Sequence, residues 1–170
     1  QGQQIQVGDL VVTLHPTEVD RLVVAQADVV GPEFVVQFGA RLTQPLAFEQ
    51  VKAVYRRGLA PFDRFRQRVV EKGFPVATPH WEDMPDFDIG QQLHHSALPE
   101  PRDRGTLASL ISDLASTPLD HARPLWEVHV VDDVDGGSAL IMRIHHCIGD
   151  GTAAMVVCNE LFGTAPDLPQ

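Results

Sequence analysis

Two apolar runs, residues 125–131 and 138–145, flank the sequence DDVDGG at 132–137. This arrangement restricts the fold more than any other stretch of the chain. In the first run Leu125, Glu127 and His129 alternate with Trp126, Val128 and Val130, which is the two-residue period of a strand. The second run, SALIMRIH, reads as its partner, and Asp135-Gly136 is a strong hairpin signal. The strand pair leads straight into Ile144-His145-His146-Cys147-Ile148-Gly149-Asp150-Gly151. A helix is then expected from about Thr152 to Phe162, with Met155, Val156 and Leu161 turned inward.

The rest of the chain supplies further strands and helices. Residues 5–14 read as one extended segment rich in β-branched residues. A short helix is expected through Val19–Gln26, a strand over 33–42, and a helix near 46–57 opened by Pro45. Phe62–Glu71 fits strand and helix equally. Residues 73–104 hold five prolines and an acidic patch at Glu82–Asp88, so they read as a crossover or functional loop, with a short strand over Gln91–Leu98. The clearest helix is 105–116, where Leu107, Leu110, Ile111 and Leu114 recur at i, i+3, i+4 and i+7 and Pro118 stops the run. The sum is an α/β fold, a mixed β-sheet flanked by helices.

Composition narrows the function classes. At 44% apolar and 21% charged residues the chain is an ordinary globular one, not collagen, coiled coil or a disordered chain. With 13 Gly and 13 Pro in 170 residues, many turns are expected. No apolar run approaches the ~18–20 residues of a membrane-spanning helix. A net charge of −10 argues against nucleic acid as a partner. Five arginines cluster between Arg56 and Arg68, and they read either as solvated faces with local ion pairs or as an attraction for a phosphorylated ligand. Two cysteines, Cys147 and Cys158, make no disulfide scaffold, which fits a reducing compartment. The start, QGQQIQVGDL, has neither a signal peptide nor an initiator Met, so trimming or processing is expected.

The stretch 144–151 carries the chemistry. It sits where a strand ends and a helix begins, a place where side chains and backbone N–H groups converge on a ligand. A neutral imidazole can take a proton from a hydroxyl near neutral pH. A carboxylate four residues on can fix the loop, and a glycine beside it lets substrate approach the backbone. The following helix N-terminus offers donors to a developing oxyanion. Together these parts suit acyl transfer. Two other readings stand beside it. Paired histidines at a strand end are often structural, as His94-His95 are expected to be. His145, His146, Cys147 and Asp150 are also all possible metal ligands, but none of the usual zinc spacings is present, and no metal is expected. A serine hydrolase is disfavoured because there is no GxSxG.

His145-His146-x-x-x-Asp150-Gly151 matches the HHxxxDG motif of the superfamily that includes chloramphenicol acetyltransferase-like folds and peptide-synthetase condensation domains. Pro118-Leu119-Asp120 and Arg123-Pro124-Leu125-Trp126-Glu127 precede it. This combination resembles the bacterial bifunctional wax ester synthase/acyl-CoA:diacylglycerol acyltransferase family. Arg64-Phe65-Arg66-Gln67-Arg68, and the succession His80-Trp81, Phe87-Asp88, Leu98-Pro99, resemble further segments of that family. The resemblance covers most of residues 40–162 and fits the first 30 residues poorly.

The resemblance implies an O-acyltransferase that passes a fatty acyl group from acyl-CoA to a long-chain alcohol or diacylglycerol, with acyl-CoA as substrate and no cofactor. His146 would be the general base, His145 would shape the strand end, and Asp150 would pair with Arg143 or Arg123 to orient the loop. Gly151 would admit the thioester, while Pro124, Leu125 and Trp126 would line the substrate path. Cys147 would be a packing residue facing away from His146, and Arg64, Arg66 and Arg68 could meet the phosphates of CoA. Family members are more than twice as long and have two related subdomains. Residues 1–162 would thus be the N-terminal subdomain and 163–170 the start of a linker, with the C-terminal subdomain a missing segment or a second chain. A cytoplasmic protein that visits membranes or lipid droplets is implied. The alternatives are an HHxxxDG enzyme using a carrier-protein thioester, a non-catalytic binding fragment, and a small metal protein.

Overall fold

The computed structural model describes residues 3–7, 10–14, 19–25, 35–42, 45–71 and 78–149, together with Val157 and Leu161. Its centre is a five-stranded mixed sheet. The strands in chain order are β1 (Gln3–Val7), β2 (Leu10–Leu14), β3 (Val19–Ala25), β4 (Val35–Leu42), β5 (Gln67–Val70), β6 (His80–Asp83), β7 (Leu93–Ala97), β8 (Trp126–Val134) and β9 (Gly137–His145). Among the described residues, the α-helices with both ends described are α1 (Phe48–Leu59) and α2 (Arg104–Ser116). The central sheet runs β3-β4-β9-β8-β7, while β1-β2 and β5-β6 form separate two-stranded sheets. Among the described strands only the β7–β8 pairing is parallel. A parallel neighbour needs a crossover, and the chain between β7 and β8 contains α2.

The β8–β9 hairpin turns on Asp135 and Gly136, with φ 48° and 82°. Two successive positive values are the requirement of the tight hairpin turn that the Asp-Gly pair satisfies. Gly136→Ala meets no steric neighbour. Its expected cost is therefore the conformational one of a left-handed alanine, about 1 kcal/mol, readable from urea melts. Just before the turn the register shifts between Asp132 and Val134, and the intervening Asp133 has φ 64°. This one-residue bulge decides which side chains oppose each other along the whole hairpin.

The two faces of the sheet bury different clusters. One face joins Trp126, Val128, Val130, Leu140, Met142 and Ile144 to Val51, Tyr55 and Leu59 of α1. The other joins Val131, Ala139 and Ile141 to Leu98, against which Leu107, Leu110, Ile111 and Leu114 of α2 pack. The helical period expected for 105–116 is thus the contact face of α2. Asp103 caps this helix through Thr106, and those hydrogen bonds hold its carboxyl below the usual value.

Several expectations change. The segment 5–14 is two antiparallel strands, Val7 facing Leu10, and not one extended run. Residues 19–25 are a strand, not a helix. Their valines and leucine suit the backbone ladder with β4, which outweighs a helix start signal made only of Pro16 and Glu18. Phe62–Glu71 is both forms in succession, a 3-10 turn at Asp63–Arg66 followed by β5. The irregular stretch 73–104 contains the additional strand β6, which pairs with β5. Of the helix expected over 152–162, Val157 and Leu161 are described; both are helical and buried, and the remainder lies outside the described residues.

Candidate active site

β9 carries the paired histidines to the end of the sheet. The His145 N–H donates to the Leu125 carbonyl at 2.9 Å, the last rung between the two central strands. The chain then leaves the ladder in a turn, in which the Ile148 N–H donates to the His145 carbonyl at 3.0 Å. His145 accepts the Cys147 N–H on Nδ1 at 3.1 Å, which leaves a neutral His145 with its proton on Nε2. Its ring meets His121 edge-on at 6.3 Å. His146 lies in the turn and is exposed. Asp150 and Gly151 lie outside the described residues.

Cys147 corrects the expectation of a packing residue, because it is exposed. Side chains alternate only while the strand lasts, and the turn ends that alternation. Partial burial of the sulfur raises the thiol above its ordinary value; a backbone hydrogen bond and the charge of Arg64 act the other way. A thiol so shifted is a poor nucleophile at neutral pH. Cys147→Ser is expected to leave the rate of any acyl transfer within a small factor of the parent, checked by a steady-state assay.

Pro124, Leu125 and Trp126 are all buried. The Trp126 indole N–H donates to the Phe65 carbonyl at 2.8 Å, and its ring packs on Phe65 and Tyr55 at 5.6 and 6.4 Å. Trp126 also forms part of the wall of a cavity of about 350 Å³ with Leu59, Phe62, Phe65, Phe87 and Ile89. Arg56, Arg66 and Asp88 bring charge to this otherwise apolar hollow. The cavity and the histidine turn share one end of the β8–β9 pair, since Trp126 opposes Ile144.

Gln92 is a positioning residue that the sequence reading passed over. It is 3% exposed, and its side-chain amide donates to the carbonyls of Pro124 and Trp126 at 2.8 and 2.5 Å. It fixes the segment that enters β8. A polar residue between apolar Ile89 and Leu93 was the available signal.

Three of the five clustered arginines make local contacts. Arg64 donates to Gln67 and lies over the Trp81 ring, Arg66 pairs with Asp63, and Arg68 makes two hydrogen bonds to Glu82. Of the two candidates for Asp150, Arg123 contacts Asp120 and the Gln91 carbonyl. Arg143, 1% exposed, donates to the Glu127 carboxylate and the Thr117 carbonyl. Glu127 also receives His129 at 3.0 Å and faces His94 at 3.6 Å. Burial raises the Glu127 carboxyl, but hydrogen bonds from His129 and His94 and the Arg143 charge outweigh it and hold the group well below the usual carboxylate range.

A mixed sheet with a helix packed on each face, and a histidine pair where its central strand ends, defines the class. The starter condensation domain of rhizomide synthetase RzmA superposes with a TM-score of 0.60 at 11% identity over 75% of this chain and 31% of that one, which shows the fold. The chain thus shares the chloramphenicol acetyltransferase-like fold of such domains over the part that superposes. Residues 33–170 match the family described as "Wax ester synthase/diacylglycerol acyltransferase catalytic domain", and the chain belongs to that family. The Mycobacterium tuberculosis H37Rv protein named "Probable diacyglycerol O-acyltransferase tgs1" is 43% identical over 97 residues, covering 56% of this chain and 21% of that protein. The solved wax ester synthase/diacylglycerol acyltransferase from Marinobacter aquaeolei VT8 is 25% identical with a TM-score of 0.54, over 71% of this chain and 31% of that one. The chain therefore spans only 21% of that curated relative's length and 31% of the solved one's.

Proposed function

We propose that the protein carrying this chain transfers a fatty acyl group from acyl-CoA to a long-chain alcohol or diacylglycerol, with His146 as general base. The observation that carries the reading is the exposed His146 in the turn ending β9, in a chain of this family. His146 takes the proton of the acceptor hydroxyl, and the oxygen attacks the thioester carbonyl. The carbon–sulfur bond breaks, the CoA sulfur leaves with the proton returned by the imidazolium, and an ester remains. No acyl-enzyme is needed, in keeping with the raised thiol of Cys147.

In this scheme His145 holds the turn, Asp150 orients the loop, Gly151 lets the thioester come close, and Pro124, Leu125 and Trp126 border the acyl path. The apolar cavity beside Trp126 gives that path a hydrophobic wall. Residues 1–162 act as the N-terminal subdomain and 163–170 begin a linker to a second subdomain, which completes the site. No cofactor takes part. Substrates this apolar place the enzyme at a membrane or lipid-droplet surface on the cytoplasmic side. Among the described residues no helix is long and apolar enough to cross a membrane.

The test uses the full-length protein with hexadecanol or dioleoylglycerol as acceptor and palmitoyl-CoA or palmitoyl carrier protein as donor. Ester formed from the CoA donor is the expected result. Ester formed only from the carrier-bound donor would move the protein to the carrier-dependent branch of the fold. No ester from either donor would sink the acyltransferase reading.

A further inference from the structure

β7 and β8 are parallel neighbours, and in their register His94 stands directly against His129. Glu127 lies two residues before His129, so its side chain projects from the same face of β8. The three side chains therefore converge from two paired strands rather than from loops. Glu127 Oε1 is 3.0 Å from His129 Nε2, and Glu127 Oε2 is 3.6 Å from His94 Nε2. The two imidazoles stack with centroids 4.8 Å apart, and no two of the three donor atoms are farther apart than 4.8 Å. Among the described residues this is the set of three that could hold an ion; His145, His146 and Cys147 form no such group.

We propose that His94, His129 and Glu127 form a binding site for one divalent transition-metal ion of the zinc type, separate from the histidine pair at the end of β9. Zinc bonds of ~2.0–2.2 Å to nitrogen and oxygen put tetrahedral donors roughly 3.3–3.5 Å apart. The contacts at 3.0 and 3.6 Å, one to each carboxylate oxygen, lie near that spacing, so coordination through one oxygen requires the carboxylate and the imidazoles to rotate toward a common point. Two imidazoles and one carboxylate leave a fourth position for water. It opens toward His94, whose side chain is 46% exposed, against 20% for Glu127 and 16% for His129. Arg143 donates to Oε1 and is itself tied to the Thr117 carbonyl, as an outer-shell partner orients a ligand, which leaves Oε2, the oxygen facing His94, for the ion. The ion exchanges the two imidazole–carboxylate contacts for coordination and displaces any proton they hold. It would clip β7, an end strand of the central sheet, to β8.

The test titrates the full-length, chelator-treated protein with zinc by calorimetry and with cobalt by visible absorption, and follows thermal unfolding with and without metal. One equivalent of bound ion, a tetrahedral cobalt spectrum and a higher unfolding temperature are expected. His94→Ala and His129→Gln should each weaken binding by more than about tenfold and remove the cobalt spectrum. Their metal-free melts report whether they fold. His95→Ala, which alters the neighbouring contact with Asp132, should bind like the parent. Absence of stoichiometric binding, or binding that survives the His94→Ala/His129→Gln double substitution, overturns the proposal.

Discussion

His146→Ala is expected to remove ester formation while leaving the fold in place. General acid–base catalysis is worth roughly 10²–10⁴-fold in rate, and the loss should fall on kcat, because the imidazole acts on the proton only as the acceptor attacks. The side chain is exposed in the turn, so its truncation opens no cavity in the core. Unfolding midpoints of parent and variant should therefore coincide. His145→Ala should behave differently, since His145 Nδ1 accepts the Cys147 N–H that shapes the turn. Its effect should appear in both rate and thermal stability. If His146→Ala retains parental kcat in an assay that detects ester, the general-base assignment fails.

The second large effect concerns stability. Glu127→Ala leaves the Arg143 guanidinium buried without its carboxylate, and breaking a buried pair in this way costs about 3–5 kcal/mol. Urea denaturation should show this as a lower midpoint with little change in slope. Glu127→Gln keeps an acceptor for Arg143 and should lose less. The pH dependence has a definite sign. The folded carboxyl titrates well below its unfolded value, so its contribution is fully present above the unfolded glutamate pKa of about 4.3. It is lost as pH falls from there through the folded value. The gap between parent and Glu127→Gln should narrow below about pH 4. A gap independent of pH down to strong acid would show that the carboxylate charge contributes nothing.

The central hairpin and α2 were legible in the sequence because local signals were enough: strand alternation, an Asp-Gly turn, and four apolar residues on one helical stripe. β3 was not legible, because its state is decided by a partner strand. The Glu127–Arg143 pair was hidden for a subtler reason. A plain two-residue turn at Asp135-Gly136 would set Glu127 against Ile144. The bulge at Asp133 moves the register by one and brings Arg143 opposite instead. Nothing in the pattern of apolar residues announces that bulge. The histidine pair, in contrast, was visible as a motif at a strand end. Asp150 and Gly151 remain assigned by motif alone.

The pairing of β4 with β9 has a consequence for biosynthesis. Val35 meets His145, so the two strands are separated by roughly a hundred residues of chain. At about 5–20 residues per second on the ribosome, β3 and β4 emerge ~5–20 s before the strand that completes their sheet. During that interval the β4 edge is a template open to other chains. The late-arriving partner is the strand that carries the histidines. A nascent chain stalled before residue 137 should be prone to aggregate, and release should begin once β9 has cleared the exit tunnel.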